Sequence, residues 1–482
     1  MTNDLRLFID GRWRPAGDGG TRPLIDPATG RESGRAAEAT ADDVDSAVRA
    51  AARAFEDDAW ALLLPARRAR LLLDVADAIE ARADEFAQLE TSDLGQPRWA
   101  TGFSVAATAE HFRYFAGWVT KLTGDSAPLS TPDVFQRSLR RPLGVAALIT
   151  PWNFPVQIAS WKLAPALATG NTVVLKPAEQ TPRSTLLLAE VLAEVGFPAG
   201  VVNVVTGGPA VGDALVRHDG VAKISFTGSV EVGRRIGAVA GARLVPVSLE
   251  LGGKTPSIVT ANADLDQAVA GHVGGGLYNT GQTCAAFSRV YVHESIADEF
   301  VERVGAAYGA VAFGAPETEG VFAGPLISAE HRARVDDYVR RGIAAGARVV
   351  VGATPASPVG HEEGFYYEAT VLTDVADDNV VAREEIFGPV LSVLRYRDEA
   401  EAIRRANASP YALAAAVWSR DVAEANRIAQ GIRAGTVWIN TGPVLDAAAP
   451  WGGFGDSGLG RESGWDALLA YTGVQSIITG LR

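Results

Sequence analysis

The sequence predicts an α/β protein of two open parallel-sheet domains, with a small β element set apart from both. Three observations predict it. From about residue 143, short β-rich runs begin every 20 to 30 residues with helical stretches between most of them. That is βαβ spacing, and it requires parallel strands. After Pro256 a second series of the same kind begins. Finally, a chain of 482 residues that is 47% apolar and 21% charged is too long for one core and apolar enough for two or three.

The first 35 residues are rich in Gly, Pro, Asp and Arg and read as loops with short extended pieces such as Leu7-Phe8-Ile9. Thr40-Ala41-Asp42-Asp43 reads as a helix N-cap with an acid three residues on. Ala47, Val48, Ala51, Ala52 and Phe55 recur behind it at helical spacing. A second helix is predicted over 71–89, with Leu72, Val75, Ala76, Ile79 and Phe86 on one side, and a third over 102–120. Residues 128–139 alternate as an extended strand pair. Strands follow at 145–150, 172–175, 201–205, 222–226 and 244–249. Thr181-Pro182 reads as an N-cap with proline at the first helical position. In the second series, 257–260 and 289–292 are strands, and helices start at Leu265 and Ile296. Residues 474–478 form a last strand.

Bulk properties narrow the function. A formal charge of -13 disfavours nucleic acid or anionic membrane as partner. The longest apolar runs fall far short of a membrane span. Met1 to Arg14 mixes acids and bases without an apolar stretch, so no secretory signal is expected. With one thiol in the chain, that points to a cytoplasmic protein. No metal site is predicted.

The chemistry concentrates in a few motifs. Cys284, the single cysteine, ends Asn279-Thr280-Gly281-Gln282-Thr283-Cys284. A thiol attacks carbonyls as the thiolate and needs a base or a positive field. Glu250, 34 residues upstream in Leu249-Glu250-Leu251-Gly252-Gly253-Lys254, follows an apolar strand and is a candidate base. Asn153, braced in Pro151-Trp152-Asn153-Phe154-Pro155, could donate to an oxyanion. Phe226-Thr227-Gly228-Ser229 joins a strand to a helix over 230–240, where Ser229 could cap the helix and meet a phosphate. Lys176 and Glu179 end another strand and could bind ribose hydroxyls. Gly453-Phe454-Gly455-Asp456-Ser457-Gly458 fits the G-x-G-x-x-G pattern but follows no convincing strand, and reads as a tight loop.

Together these motifs resemble the NAD(P)-dependent aldehyde dehydrogenases with a cysteine nucleophile. The resemblance extends through Glu384-Glu385-Ile386-Phe387-Gly388-Pro389 and Ser457-Gly458-Leu459-Gly460-Arg461-Glu462. It implies a Rossmann-like NAD-binding domain at 1–123 and 143–252, a catalytic domain at 253–463, and an oligomerisation element from 124–142 and 464–482. It implies that Cys284 attacks the aldehyde, Asn153 holds the oxyanion, and Glu250 activates the water that hydrolyses a thioester. Cofactor contacts are implied for Ile149, Thr150, Trp152, Lys176, Glu179, Gly208, Gly212, Phe226, Thr227, Gly228, Ser229, Leu251, Glu385 and Phe387. Glu179 favours NAD over NADP.

The implied substrate pocket is Phe154, Gln157, Trp161, Leu445 and Trp451, beside the small neighbours Thr283 and Ala285. That lining suits an uncharged, medium-sized aliphatic or aromatic aldehyde. A homodimer or homotetramer is implied. One departure stands out: no basic residue shortly follows Gly452-Gly453, which predicts a loop either mobile or differently packed. A cofactor-independent cysteine esterase or hydrolase and a CoA-acylating dehydrogenase are the alternatives. The ribose motifs argue against the first, and Glu250 as base against the second.

Overall fold

The backbone alternates as the sequence predicts, and its strands assemble into two large sheets. The computed structural model describes residues 4–481; residues 1–3 and 482, within the ranges assigned to the first domain and the tail, lie outside the described residues. The first sheet has eight strands in the order Gly458–Leu459, Val247–Glu250, Lys223–Thr227, Val145–Ile149, Thr172–Lys176, Val202–Val204, Leu7–Ile9, Arg12–Arg14. Its central pairs are parallel. The second has seven, in the order Arg348–Val351, Thr370–Thr373, Val390–Tyr396, Arg289–His293, Pro256–Val259, Ala414–Trp418, Thr436–Ile439.

Burial explains why the central strands read as continuous apolar runs. Along Val145–Ile149, Val145, Ala147 and Ile149 enter one core while Ala146 and Leu148 enter the core on the other face. Side chains of a strand alternate, so a sheet covered by helices on both sides buries every position.

The helix Ala41–Glu56 begins at the expected cap. Thr40 accepts from the Asp43 N–H at 3.2 Å, and the Asp43 carboxylate accepts from the Thr40 N–H at 2.9 Å. Asp43 also accepts from Arg14 and from the Gly17 N–H, at 2.8 and 2.9 Å, so the cap ties the N-terminal segment to the helix.

Three expectations need correction. The helix over 71–89 is two helices, Pro65–Ala81 and Ala83–Leu94, separated at Arg82. Leu72, Val75, Ala76, Ile79 and Phe86 all reach one core, so the apolar pattern crosses the joint without a mark. Thr181 is not a cap: its buried hydroxyl has no partner, Pro182 is the cap residue, and the N–H of Arg183 donates instead to Asp93 at 3.1 Å. The strand pair at 128–139 is one strand, Val134–Pro142, paired antiparallel with Thr472–Gly480 along its whole length. Its alternation came from a ribbon partner at the far end of the chain.

The two sheets are joined by the short turn between Glu250 and Pro256. The chain later returns to the first sheet, where Gly458–Leu459 pairs antiparallel with Val247–Glu250. The helix Gly464–Leu469 follows and buries Ala467 and Leu468 in the first core. Among the described residues, no helix is long and apolar enough to cross a membrane.

Candidate active site

Strands of the first sheet end at Ile149, Lys176, Thr227 and Glu250. In an open parallel sheet this carboxyl edge is where ligands sit. A cavity of about 430 Å³ lies there, and ten of the predicted cofactor residues line it: Ile149, Thr150, Trp152, Lys176, Glu179, Gly212, Phe226, Thr227, Gly228 and Ser229. Ser229 caps the helix Val230–Arg243, accepting from the Val232 N–H, so a helix N-terminus faces this edge. The Thr150 hydroxyl is buried without a partner. The Lys176 ammonium donates to the Pro177 carbonyl at 3.1 Å and stands 3.7 Å from Glu179. Burial pushes the pKa of Lys176 down. An unpaired hydroxyl, a capped helix start and a buried cation beside an acid are a donor set fitted to a polar, anionic ligand of nucleotide size.

The other four predicted cofactor residues lie off that wall. The side chain of Leu251 packs on Gly233, and the Gly208 N–H donates to Glu38 at 2.9 Å. Glu385 accepts from the Gly253 N–H at 3.0 Å, and burial raises its pKa to about 7. Phe387 meets Trp152 edge-on, with ring centres 5.4 Å apart. Phe387 thus meets a wall residue of the cavity, and the Cys284 thiol feels the charge of Glu385.

The nucleophile sits on strained backbone. Asn279, Thr280 and Gly281 have φ of 51°, 57° and 71°, three left-handed residues in succession. Each of the first two costs about 1–3 kcal/mol and persists only where the surroundings over-determine it. The Asn279 amide donates to the carbonyls of Asn153 and Gln282, at 3.0 and 3.3 Å, and Thr280 donates to Gly324 at 3.0 Å. Gln282 donates to Asn279 and accepts from the Ile327 N–H. Gln282 is a structural member of the site that sequence reasoning missed; its only local signal was a polar residue next to a glycine. On the other side, a Cβ on Gly253 would lie 2.5 Å from the Cys284 carbonyl oxygen, so glycine there lets the linker between the sheets press against the nucleophile loop.

Cys284 is partly exposed. Burial pushes its thiol up to about 12, helped by the negative charges of Glu385 and Glu250, while backbone N–H groups of Cys284 and Ala285 pull the other way. The thiol at rest is therefore protonated. Its alkylation by iodoacetamide, with no dinucleotide present, should quicken about tenfold per pH unit to at least roughly pH 10. A plateau near roughly pH 8.5 would show a thiol of ordinary acidity. Asn153 uses one amide N–H on the Gln282 carbonyl, at 3.0 Å, and an amide carries a second N–H donor.

Glu250 is buried with neither oxygen hydrogen-bonded. Desolvation raises its pKa well above the usual range; the charge of Glu462 adds to this, and Lys162 and Arg461 oppose it. A Cβ on Gly452 would lie 2.6 Å from a Glu250 carboxylate oxygen, so the glycine pair leaves room for that side chain. The Glu462 carboxylate pairs with the buried Lys162 ammonium and accepts from Ser225 at 2.9 Å. Its backbone exchanges hydrogen bonds with Trp451, at 2.6 and 2.7 Å. Lys162 and Glu462 were not predicted as site residues, because only the fold brings their distant segments together.

The loop at 453–458 packs rather than moves freely. Asp456 pairs with Arg234 at 2.8 Å, the Arg461 guanidinium lies 4.7 Å over the Phe454 ring, and Ser457 bonds to Gly252 and Ala412. The missing basic residue is thus replaced by an acid with its own partner. Within the loop Phe454–Gly455 pairs with Tyr411–Ala412, and Gly458–Leu459 at its end pairs with Val247–Glu250.

Aromatic rings gather in and around the core against which Cys284 packs. Phe154 stacks on Tyr278 with centres 5.8 Å apart, and Trp161 meets Trp451 at 6.4 Å. Trp161, Leu445 and Trp451 line one small cavity with His111, Ser463 and Asp446. Gln157, half-buried on the same helix as Trp161, is not among that cavity's walls. Asp446 is an acid that sequence reasoning did not assign to this pocket.

Known proteins share this fold. A phenylacetaldehyde dehydrogenase of Pseudomonas fluorescens is 44% identical, matching 98% of this chain and 95% of its own. An aldehyde dehydrogenase of Bacillus cereus, solved as its NAD+ complex, is 42% identical with a TM-score of 0.97, covering 99% of this chain and 97% of its own. A betaine aldehyde dehydrogenase of Staphylococcus aureus, also solved with NAD+, is 37% identical with a TM-score of 0.97, covering 99% and 95%. The model of the aldehyde dehydrogenase family matches residues 13–477, and this chain belongs to that family.

Proposed function

We propose that this protein oxidises an uncharged aryl or medium-chain alkyl aldehyde to the carboxylic acid, with NAD as oxidant and Cys284 as nucleophile. The observation that carries the reading is a nucleotide-sized cavity whose wall residue Trp152 adjoins Asn153, which bonds the loop leading to a thiol under the joint influence of Glu250 and Glu385. NAD complexes of the relatives support the cofactor.

The thiol gives up its proton to solvent and its sulfur bonds to the aldehyde carbon. The carbonyl electron pair moves onto oxygen, which accepts from the Asn153 amide and the Cys284 N–H. NAD, when bound, supplies the two-electron acceptor that converts this adduct to a thioester. Lys176, Glu179, Glu385 and Phe387 would hold its ribose and nicotinamide ends. Glu250 then takes a proton from water, and that oxygen bonds to the thioester carbon. The C–S bond breaks with its electrons to sulfur, and the acid leaves as the thiol is reprotonated. Lys162 and Glu462 act on Glu250 through their charges, in opposite directions.

The residues 1–123 and 143–252 would form the cofactor domain and 253–463 the catalytic domain. A two-stranded ribbon is marginal alone, and Phe135, Val474 and Ile478 stay exposed on this one. That supports a homodimer or homotetramer built through 124–142 and 464–482.

The aromatic pocket supports the substrate class. A second reading comes from Asp446 beside Trp161 and Trp451, an acid and two π-faces that suit a quaternary ammonium aldehyde. Phenylacetaldehyde, hexanal and betaine aldehyde should therefore be assayed with NAD. NADH should form with the first two; betaine aldehyde as the best substrate would establish the second reading, and no NADH from any aldehyde would overturn the assignment.

A further inference from the structure

At the ribose end of the cavity, Lys176 and Glu179 have neighbours that the sequence did not suggest. Arg22, on the strand Thr21–Asp26 of a small N-terminal sheet, holds both oxygens of Glu38, at 2.8 and 3.2 Å. Glu38 also accepts from the Gly208 N–H at 2.9 Å. Gly208 precedes the helix Pro209–Arg217, whose Pro209 and Gly212 line the cavity. A Cβ on Gly208 would lie 2.7 Å from an Arg22 nitrogen, so the guanidinium rests against the open side of this glycine. A Cβ on Gly212 would lie 3.5 Å from the Lys176 stem, which places the two pairs on one turn of the same helix.

The four charges act on one another. Glu179 bears on Arg22, and Glu38 bears on Lys176. Burial works against the charge on Glu38, but its bonds to Arg22 and Gly208 outweigh it and hold the carboxyl ionised. Two carboxylates and two cations thus balance around one end of the cavity, Lys176 and Glu179 on its wall and Arg22 and Glu38 behind Gly208.

We propose that Glu38 masks Arg22 and so decides which dinucleotide the cavity accepts. This rests on the NAD reading above. While the pair is intact, a 2′-hydroxyl meets a neutral, self-satisfied wall. A 2′-phosphate brings about two negative charges and needs a free fork of donors. Arg22 has the right chemistry and is coupled by charge to Glu179 of the cavity wall, yet two of its donors are committed to Glu38. Glu179 repels the phosphate; Glu38 withholds the residue that would attract it.

Glu38→Gln tests this, because glutamine keeps an acceptor for the Gly208 N–H and removes the charge. Binding of adenosine 2′,5′-bisphosphate and of 5′-AMP is measured by calorimetry, alongside turnover with NAD and NADP. Glu38→Gln should tighten the bisphosphate about tenfold or more and change 5′-AMP by less than about twofold. Adding Arg22→Gln should remove the gain. Arg22→Gln alone, which leaves Glu38 bare, should weaken the bisphosphate further and gives a reading even if Glu38→Gln folds poorly. No gain in Glu38→Gln, or a gain that survives loss of Arg22, overturns the mask. Wild-type protein that binds neither 5′-AMP nor NAD would instead overturn the cofactor reading beneath it.

Discussion

Cys284→Ala is expected to lower aldehyde oxidation by roughly 10⁴-fold or more while leaving NAD binding intact. In the proposed mechanism the sulfur is the atom on which the substrate becomes covalent, and no other cysteine can stand in for it. The dinucleotide cavity belongs to the first sheet's edge and draws none of its walls from the cysteine loop. The two effects should therefore separate cleanly, with NADH formation lost and calorimetric binding of NAD retained. Residual turnover above about one hundredth of wild type would mean that the chemistry does not pass through the thiol.

Glu250→Gln should divide the reaction in time. Thioester formation does not need the base, so one equivalent of NADH per site should appear in a burst. Hydrolysis does need it, and steady-state turnover should fall by roughly 10²–10⁴-fold. Rapid mixing with aldehyde and NAD separates the phases. The wild-type pH profile follows from the same carboxyl. Its pKa is raised by burial and by Glu462, so it keeps its proton to higher pH than a surface glutamate. The fraction able to act as base, and kcat with it, should rise with pH through the neutral range. Full steady-state activity in Glu250→Gln, or a kcat independent of pH there, would take the base role from this residue.

What the sequence disclosed was what local physics writes into it. The capping box at Thr40 and the cap at Ser229 are short-range bonds between neighbours, and both form. The buried strands showed because helices cover both faces of each sheet, which forces long apolar runs. Arg82, where one predicted helix becomes two, left no trace because both halves feed one core. Thr181 had the chemistry of a cap, but Asp93 from another helix took its place. Lys162, Glu462, Asp446, Arg22 and Glu38 acquire their meaning from partners that only tertiary folding supplies. Each looks, in sequence, like an ordinary charge. The nucleophile loop is intermediate: its turn residues were visible, whereas three successive left-handed conformations held by Gln282 were not.

The return of the chain to the first sheet has a consequence for biosynthesis. By the time translation reaches Pro450, the nucleophile, the base and the oxyanion donor have all been made. Glu462, which neutralises the Lys162 ammonium, and Gly458–Leu459, which close the strand carrying Glu250, have not. A nascent polypeptide thus carries the Cys284 thiol beside a first sheet that stays unfinished until residues 458–462 have been made.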